Sequence, residues 1–304
     1  MVRENFFLLL AVFLISIIFI LIFKKINLRI GLKGNDVNKG KKTIVPESLG
    51  IALMFSFGIG VLLSGVQIDE KVIWFLAGII IFTLLGFLDD LSKFRRKAVS
   101  WKTRALLVLT ASVFFAVRLI PESFFLAAIL IIGLISFHNS FAGLNGLEAG
   151  TTLIVALLLL FIIPAEFLLL NMVFIAVLIA FLAFNFYPAK VFPGDSGSFF
   201  FGSTIALLLI ISGIIRIEFF LFYSPQIIDF FFLKLMSNPK DVSQKNQKPY
   251  ELINNKLSVP KNNKTNDFAK LILKKLGALS ERKLVLTMLF VVLINCLFWY
   301  FVLY

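Results

Sequence analysis

Residues 6–23 read FFLLLAVFLISIIFILIF, eighteen residues without one charged side chain. A helix needs about 20 largely apolar residues to cross the hydrocarbon core of a bilayer. The run is too long for the core of a secretory signal peptide, and residues 26–34 show no small-residue cleavage pattern. We therefore expect a retained first membrane helix.

The rest of the chain has the same character. Of its 304 residues 60% are hydrophobic, and 37 are phenylalanine, too many for a surface that faces water. The mean hydropathy is +0.97. The single cysteine, Cys296, cannot form an internal disulfide. This composition excludes a water-soluble domain and predicts an integral membrane protein.

Hydropathy predicts an all-α fold with ten membrane helices in one polytopic domain over residues 1–304. The ten predicted spans cover about residues 6–24, 48–66, 72–88, 104–120, 122–137, 150–164, 165–187, 198–215, 217–237 and 284–303.

The lysines and arginines orient these spans. Twenty-four of the 30 lie in the joints after odd-numbered spans, and four lie in the joints on the other side. Because basic residues accumulate in cytoplasmic loops, both termini are predicted outside and every long loop in the cytosol. The last loop, 238–282, contains a helical apolar period from Phe268 to Leu279, opposite Lys270, Lys274 and Lys275. This amphipathic helix is predicted either on the inner leaflet or packed on the protein.

Two adjacent carboxylates end the third span in GFLDD (86–90). Acidic residues at membrane depth are costly, which favours a functional role for Asp89 and Asp90 over a solvated helix end. The next segment is basic. Membrane topology explains most of its charge, but Lys102 and Arg104 enter the following helix.

A second candidate is the turn VFPGDSGS (191–198), which opens a helix. Such a turn directs backbone N–H groups at a phosphate. Asp195 could bind Mg²⁺, or it could serve as an ordinary N-cap.

The loop HNSFAGLNGLEAG (138–150) supplies amides and glycines. Asn139 and Asn145 offer donors and acceptors, and Gly143 permits close backbone approach. His138 has no second His or Cys nearby, so we interpret it as a polar core residue. Glu47, in the first turn of the second span, is a weak candidate from spacing alone. Together these groups suit a phosphate-bearing substrate held through Mg²⁺ at the inner leaflet.

Three of these stretches, GFLDD (86–90), HNSFAGLNGLEAG (138–150) and NFYPAKVFPGDSGSFFFG (185–202), resemble signatures of the polyprenyl-phosphate N-acetylhexosamine-1-phosphate transferases. DVNKGKKTIVPESLGI (36–51) and FYSPQIIDFF (222–231) are similar to the eukaryotic and archaeal branch that makes dolichyl-diphosphate-GlcNAc, more than to the bacterial cell-wall enzyme. The resemblance covers nearly the whole chain.

The resemblance implies transfer of a sugar-1-phosphate, most simply GlcNAc-1-phosphate, from a UDP-sugar to polyprenyl or dolichyl phosphate, with release of UMP. This is the first membrane step of lipid-linked glycan assembly of the N-glycan type. It implies Mg²⁺ as cofactor, with Mn²⁺ as a substitute, and an archaeal plasma membrane or an endoplasmic reticulum membrane. The resemblance leaves both a monomer and a homodimer open, and no nucleic-acid partner is expected.

Residue roles follow from the resemblance by position. The metal residues would be Asn139 and Asp195, and the catalytic residues Asp89, Asp90 and Lys102. The residues near the nucleotide would be Glu47, Gly143, Asn145 and Phe192.

One departure concerns the sugar. The family's last cytosolic loop usually carries a histidine-containing basic segment, whereas residues 238–263 contain none. Lys245 and Lys248 could replace it as point charges. Another UDP-N-acetylhexosamine, used for a surface polysaccharide, is therefore an alternative.

A membrane transporter is a more distant alternative. It would place ionisable residues in broken helices near the bilayer midplane, whereas here the predicted helix interiors are nearly free of charge. An alcohol phosphotransferase with a CDP donor would need a denser run of spaced aspartates.

Overall fold

The computed structural model describes residues 2–39, 43–95, 100–235, 250–260 and 266–304. Helices dominate it because long apolar segments can satisfy their backbone hydrogen bonds internally only as helices. The helices are α1 Val2–Ile30, α2 Gly50–Leu63, α3 Glu70–Phe94, α4 Trp101–Leu119, α5 Phe124–Ser140, α6 Leu147–Leu159, α7 Ala165–Asn185, α8 Gly194–Ile211, α9 Ser224–Ile227, α10 Phe268–Leu276 and α11 Glu281–Leu303.

Six helices in the described ranges are long and apolar enough to cross a membrane: α1, α3, α5 with the 3₁₀ turn before it, α7, α8 and α11. All of them except α8 carry exposed large apolar side chains, as expected for a surface that contacts lipid. The protein is thus an all-α integral membrane protein.

The ten predicted spans correspond only partly to these helices. α2 and α6 have 14 and 13 residues, short of the roughly 20 needed for a perpendicular crossing. α4 has 19 residues and follows its predicted span closely, but it carries Lys102, Arg104 and Arg118.

The prediction of one continuous helix over 217–237 is wrong in the described part of that segment. A 3₁₀ helix (Ile217–Tyr223), α9 and a π-helical stretch (Ile228–Leu235) follow one another there. Pro225 has no N–H to donate to the preceding turn, so a continuous helix cannot run through it undisturbed. Asn295 on α11 donates its Nδ2 to the carbonyls of Leu221 and Phe222, at 3.1 and 2.9 Å, which compensates the break.

α8 is the central helix, and its residues are buried from Ser196 to Ile211. It packs most extensively on α3, where small residues permit close contact. A Cβ added to Gly86 would lie only 2.4 Å from the Asp195 carbonyl oxygen. Glycine at position 86 therefore lets the end of α3 touch the start of α8, which brings two of the three signature stretches together.

Two short antiparallel hairpins were not predicted. Strands β1 (Lys33–Asp36) and β2 (Thr43–Pro46) pair between α1 and α2. Strands β3 (Glu251–Ile253) and β4 (Lys256–Ser258) pair within the last loop. Both segments read as polar loops in the sequence because four- and three-residue strands carry too little alternation to recognise.

The amphipathic helix of the last loop is α10, and the structure supports the packed alternative. Its Phe268 N–H donates to the buried Asp229 carboxylate at 2.8 Å, and Ala269 and Leu273 are buried. Lys270, which the periodicity placed on the polar face, is only 3% exposed. It pairs with Asp267 at 3.4 Å across one helical turn, so a lysine on the buried face keeps a charged partner.

Candidate functional site

Asp90 joins the end of α3 to the start of α8. Its Oδ1 accepts the Asp195 N–H at 2.8 Å, and its Oδ2 accepts the Ser196 N–H at 3.1 Å and the Ser48 hydroxyl. A carboxylate at a helix N-terminus satisfies N–H groups that have no partner within the helix and interacts favourably with the helix dipole. Asp90 is therefore occupied with positioning α8.

Gly194 makes this junction possible. Its φ is +67°, and an added Cβ would lie 2.6 Å from Asp90 Oδ2 and 2.9 Å from the Ser48 backbone. Both the left-handed conformation and the close approach require glycine. The glycine before Asp195 is thus explained by the packing of three chain segments.

Asp89, on the next position of α3, points to a different set of partners. Its Oδ2 lies 2.9 Å from Lys93 Nζ and 2.5 Å from Arg104 Nη1. Lys93 also contacts Asp195 Oδ2, which is 3.7 Å from Arg104. Two carboxylates and two basic side chains from α3, α4 and α8 thus form one charged cluster, defined here as Asp89, Lys93, Arg104 and Asp195.

The basic residue that α4 contributes to this cluster is Arg104. Lys102, the residue predicted from the resemblance, is exposed, and its Nζ lies 5.9 Å from the Trp101 ring centroid. The two residues are separated by two positions, which on a helix places them on different faces. The structure thus brings Arg104 to the carboxylates, and a role for Lys102 near the phosphates stays a prediction.

Glu47 and Phe192 meet beside the first hairpin. Phe192 donates its N–H to the Pro46 carbonyl at 2.8 Å, which fixes the two segments together. A Cβ on Gly34 would lie 2.8 Å from Glu47 Oε2 and 3.4 Å from the Phe192 ring. Burial, reinforced by the Asp90 carboxylate and opposed by Lys93, raises the pKa of Glu47 above its usual value. Glu47 consequently binds a proton more readily than an exposed glutamate.

Asn145 and Gly143 lie against the same hairpin. Asn145 Nδ2 donates to Asp36 Oδ2 at 2.9 Å, and Asn38 Nδ2 donates to the Gly143 carbonyl at 3.1 Å. Residues 34 and 36 are two positions apart on β1 and so face the same side of the strand. The hairpin therefore gathers all four residues predicted near the nucleotide: Glu47, Gly143, Asn145 and Phe192.

Two cavities border this region. One has a volume of about 220 Å³ and is lined by Leu32, Lys33, Glu47, Ser48, Asp90, Lys93 and Phe94. The other has about 380 Å³ and is lined by Asn38, Lys39, Tyr187, Leu252, Asn255, Leu257 and Glu281. Each combines lysine with carboxylate or amide groups, a lining suited to a polar, anionic ligand.

His138 and Asn139 lie in the last turn of α5 and have different surroundings. His138 is buried, with Nε2 3.3 Å from the Tyr223 hydroxyl and Nδ1 3.4 Å from the Thr152 hydroxyl. Its interpretation as a polar core residue is confirmed. Asn139 is half-buried, and among the described residues no hydrogen bond joins it to Asp195.

The carboxylate oxygens of the charged cluster are the candidate ligands for a metal ion. No set of three His, Cys, Asp or Glu side chains in the described ranges is arranged as a metal site. Asp89 and Asp195 do converge on one positive atom, Lys93 Nζ. Two carboxylate oxygens around a cationic point fit the oxygen preference of Mg²⁺, which commonly takes its remaining ligands from substrate phosphates and water.

Sequence reasoning missed several residues that the structure places in the site. The pairing of Lys93 with Asp89 could have been predicted from the sequence, because Lys93 lies four positions after Asp89 on the same helix. Arg104 was identified as a candidate, but its partner was not predicted. No sequence pattern indicates Asp36 or Glu281, since their hydrogen-bond partners are more than 100 positions away. Lys245 and Lys248 lie outside the described residues.

Known proteins match this chain over much of its length. Residues 72–213, which include the charged cluster, match the family described as "Glycosyl transferase family 4". A protein of Sulfolobus acidocaldarius named "Putative UDP-N-acetylglucosamine--dolichyl-phosphate N-acetylglucosaminephosphotransferase" is 33% identical over 245 residues, 70% of this chain and 72% of that protein.

A second relative, from Bacillus subtilis, is named "Probable undecaprenyl-phosphate N-acetylglucosaminyl 1-phosphate transferase". It is 30% identical over 234 residues, which are 68% of this chain and 64% of the relative's length. These matches confirm the resemblance inferred from the signature stretches. The family match and the Sulfolobus relative together show that the chain belongs to glycosyl transferase family 4.

Proposed function

We propose that the protein transfers GlcNAc-1-phosphate from UDP-GlcNAc to a polyprenyl phosphate, of the dolichyl type, and releases UMP. The observation that carries the proposal is the charged cluster at one end of α3 and α8, beside the hairpin that gathers the predicted nucleotide residues. The names of the Sulfolobus and Bacillus relatives support the same substrates.

The reaction needs positioning and charge neutralisation more than covalent catalysis. An oxygen of the lipid phosphate attacks the β-phosphorus of the UDP-sugar. The bond between that phosphorus and the bridging oxygen breaks, and UMP leaves with the oxygen. The lipid phosphate is largely ionised near neutral pH, since the second pKa of a phosphate monoester is about 6. It can therefore attack without prior removal of a proton.

Lys93 and Arg104 would neutralise the phosphates. Each lies within 4 Å of both the Asp89 and the Asp195 carboxylates, and its positive charge would attract a polyanionic substrate. Asp89 would position the acceptor phosphate or act as a base. Asp90 keeps α8 in register through the Asp195 and Ser196 N–H groups. Glu47, Gly143, Asn145 and Phe192 would hold the uridine.

Magnesium is part of the proposal. Asp195 and Asp89 would hold it, with Asn139 as the predicted amide ligand. When bound, Mg²⁺ supplies charge stabilisation at the diphosphate of the UDP-sugar and at the departing UMP. The basic residues of the cluster would then turn toward the substrate oxygens.

The orientation is also proposed. The concentration of lysine and arginine in the loops at the site end supports a cytosolic active site and external termini. The host membrane would be an archaeal plasma membrane or an endoplasmic reticulum membrane.

The test is an assay in membranes with radiolabelled UDP-GlcNAc, dolichyl phosphate and Mg²⁺, using the wild type and Asp195→Ala. We expect a lipid-linked GlcNAc diphosphate from the wild type and a loss of at least a hundredfold in the variant, about 2.7 kcal/mol of transition-state stabilisation. Product from a different UDP-N-acetylhexosamine alone would retain the reaction and overturn the sugar. Lack of product from any UDP-sugar would overturn the function.

A further inference from the structure

The side-chain amide of Asn145 has a fixed orientation. Its Nδ2 donates to Asp36 Oδ2 at 2.9 Å, and the same carboxylate is paired with Lys39 Nζ at 2.7 Å. An ionised carboxylate can only accept hydrogen bonds, so the NH₂ group of the amide, and not its oxygen, must face Asp36. The acceptor Oδ1 is thereby directed away from Asp36, and it makes no hydrogen bond to any residue in the described part of the chain.

The backbone around Asn145 is also held by hydrogen bonds that do not involve its side chain. Asn145 N–H donates to Glu281 Oε1 at 2.9 Å, and the Gly143 carbonyl accepts from Asn38 Nδ2 at 3.1 Å. Asp36 is itself buried, 4% exposed, on the strand face that also carries Gly34 beside Glu47 and Phe192. Asp36 Oδ1 also accepts the Asn38 N–H at 3.3 Å, and the oxygen of an asparagine at position 36 can take over that bond. Replacing the Asp36 carboxylate by an amide would therefore free the Asn145 amide to rotate while Glu281 and Asn38 keep the loop in place.

We propose that Asp36 is a positioning residue that sets the base specificity of the nucleotide site, by presenting Asn145 Oδ1 as an acceptor. The inference rests on the proposed function, in which Asn145 contacts the base of the donor nucleotide. An acceptor at this position matches the N3–H group of uracil. Cytosine has a lone pair at N3 instead, so its approach would leave two acceptors facing each other without a proton between them.

An asparagine at position 36 would remove this selectivity. Two facing amides can pair in either orientation, because each has both a donor and an acceptor. Asn145 could then present its NH₂ group to the base and accept cytosine as readily as uracil. An unmatched buried polar group costs about 1–3 kcal/mol. The preference for uracil should therefore fall by roughly tenfold to a hundredfold, since 1.4 kcal/mol corresponds to a factor of ten.

The test measures the dissociation constants of UMP and CMP for the purified full-length protein in detergent. We expect the wild type to prefer UMP, and Asp36→Asn to lose most of that preference. The double variant Asp36→Asn/Asn145→Asp exchanges the two groups, conserves the net charge and restores an acceptor at position 145. It should regain the preference for UMP, which a merely structural role of Asp36 would not produce.

Asn38→Ala is the matched control. It removes the hydrogen bond to the Gly143 carbonyl and loosens the loop, so it should weaken UMP and CMP equally and leave their ratio unchanged. An unchanged ratio in Asp36→Asn, or an equal change in Asn38→Ala, would overturn the role of Asp36. If Asp36→Asn does not fold, the double variant decides: absence of a UMP preference in it overturns the inference.

The failure of the inference is distinguishable from failure of the proposed function. A wild type that makes lipid-linked sugar diphosphate while Asp36→Asn keeps its UMP preference refutes only the role of Asp36. A wild type that binds neither UMP nor CMP refutes both.

Discussion

Asp90 accepts the backbone N–H of Asp195 at 2.8 Å, so one aspartate fixes the position of the other. Its neighbour Asp89 points instead to Lys93 and Arg104. The adjacent carboxylates that look equivalent in the sequence thus have separate tasks: Asp90 holds α8, and Asp89 belongs to the charged cluster.

This division predicts opposite effects on stability and activity. Asp90→Ala leaves the buried Ser196 N–H and the half-buried Asp195 N–H without their acceptor, which should lower the free energy of unfolding by about 1–3 kcal/mol. Asp89→Ala should lower the turnover number strongly with a smaller loss of stability. Thermal unfolding in detergent and the transfer assay measure the two effects. Equal destabilisation by both variants would refute the division.

Gly194 provides a stringent test of the junction. Gly194→Ala should abolish activity and lower the unfolding temperature, because φ is +67° and the new Cβ would lie 2.6 Å from Asp90 Oδ2. A strained backbone of this kind costs about 1–3 kcal/mol before the clash is counted.

Gly58 on α2 is the matched control. An added Cβ there meets no atom within 4 Å. Gly58→Ala should leave activity intact and, through the better helix propensity of alanine, stabilise the protein by up to about 1 kcal/mol. A Gly194→Ala protein as stable as Gly58→Ala would contradict the described packing.

Arg104 and Lys102 distinguish the structural assignment from the one made by resemblance. Arg104→Ala should reduce the rate of transfer by roughly a hundredfold, about 2.7 kcal/mol, if its charge stabilises the phosphates. Lys102→Ala should have the smaller effect, since its ammonium group lies over Trp101 and outside the cluster. Steady-state rates of the two variants at saturating UDP-GlcNAc decide between the two residues. A larger loss in Lys102→Ala would favour Lys102, the residue assigned by resemblance.

Asp229 should hold the last loop on the helix bundle. Its carboxylate accepts the Phe268 N–H at 2.8 Å and pairs with Lys234 at 2.7 Å. Asp229→Ala removes the acceptor and leaves the start of α10 without its tether. We expect faster proteolytic cleavage within residues 250–280 at an unchanged cleavage rate elsewhere. Lys275→Ala, at an exposed position of the same helix, is the control and should not change the cleavage pattern.

The sequence predicted well what depends on local pattern. Membrane helices such as α3, α7 and α11 follow from apolar runs, and the candidate carboxylates Asp89 and Asp195 follow from glycine turns and charges at helix ends. His138 was correctly interpreted as a core residue from the absence of a second ligand.

What escaped prediction depends on distant contacts. The partner of Asn145 is Asp36, 109 positions away, and the strand that carries Asp36 is only four residues long. Two carbonyl groups at the break before Pro225 accept hydrogen bonds from Asn295, 70 positions later in the chain. No local sequence pattern reveals this contact. The choice between Lys102 and Arg104 depends on how far α4 is rotated against α3, which charge alone cannot determine.

The most direct measurement of the central claim follows the phosphorus atom. UDP-GlcNAc labelled with ³²P at the β-phosphate is incubated with dolichyl phosphate, Mg²⁺ and the purified protein, and the lipid and aqueous phases are separated. Transfer of sugar-1-phosphate predicts that the label enters the lipid and that unlabelled UMP appears in equal amount. Label retained in UDP, with the sugar alone in the lipid, would contradict the account.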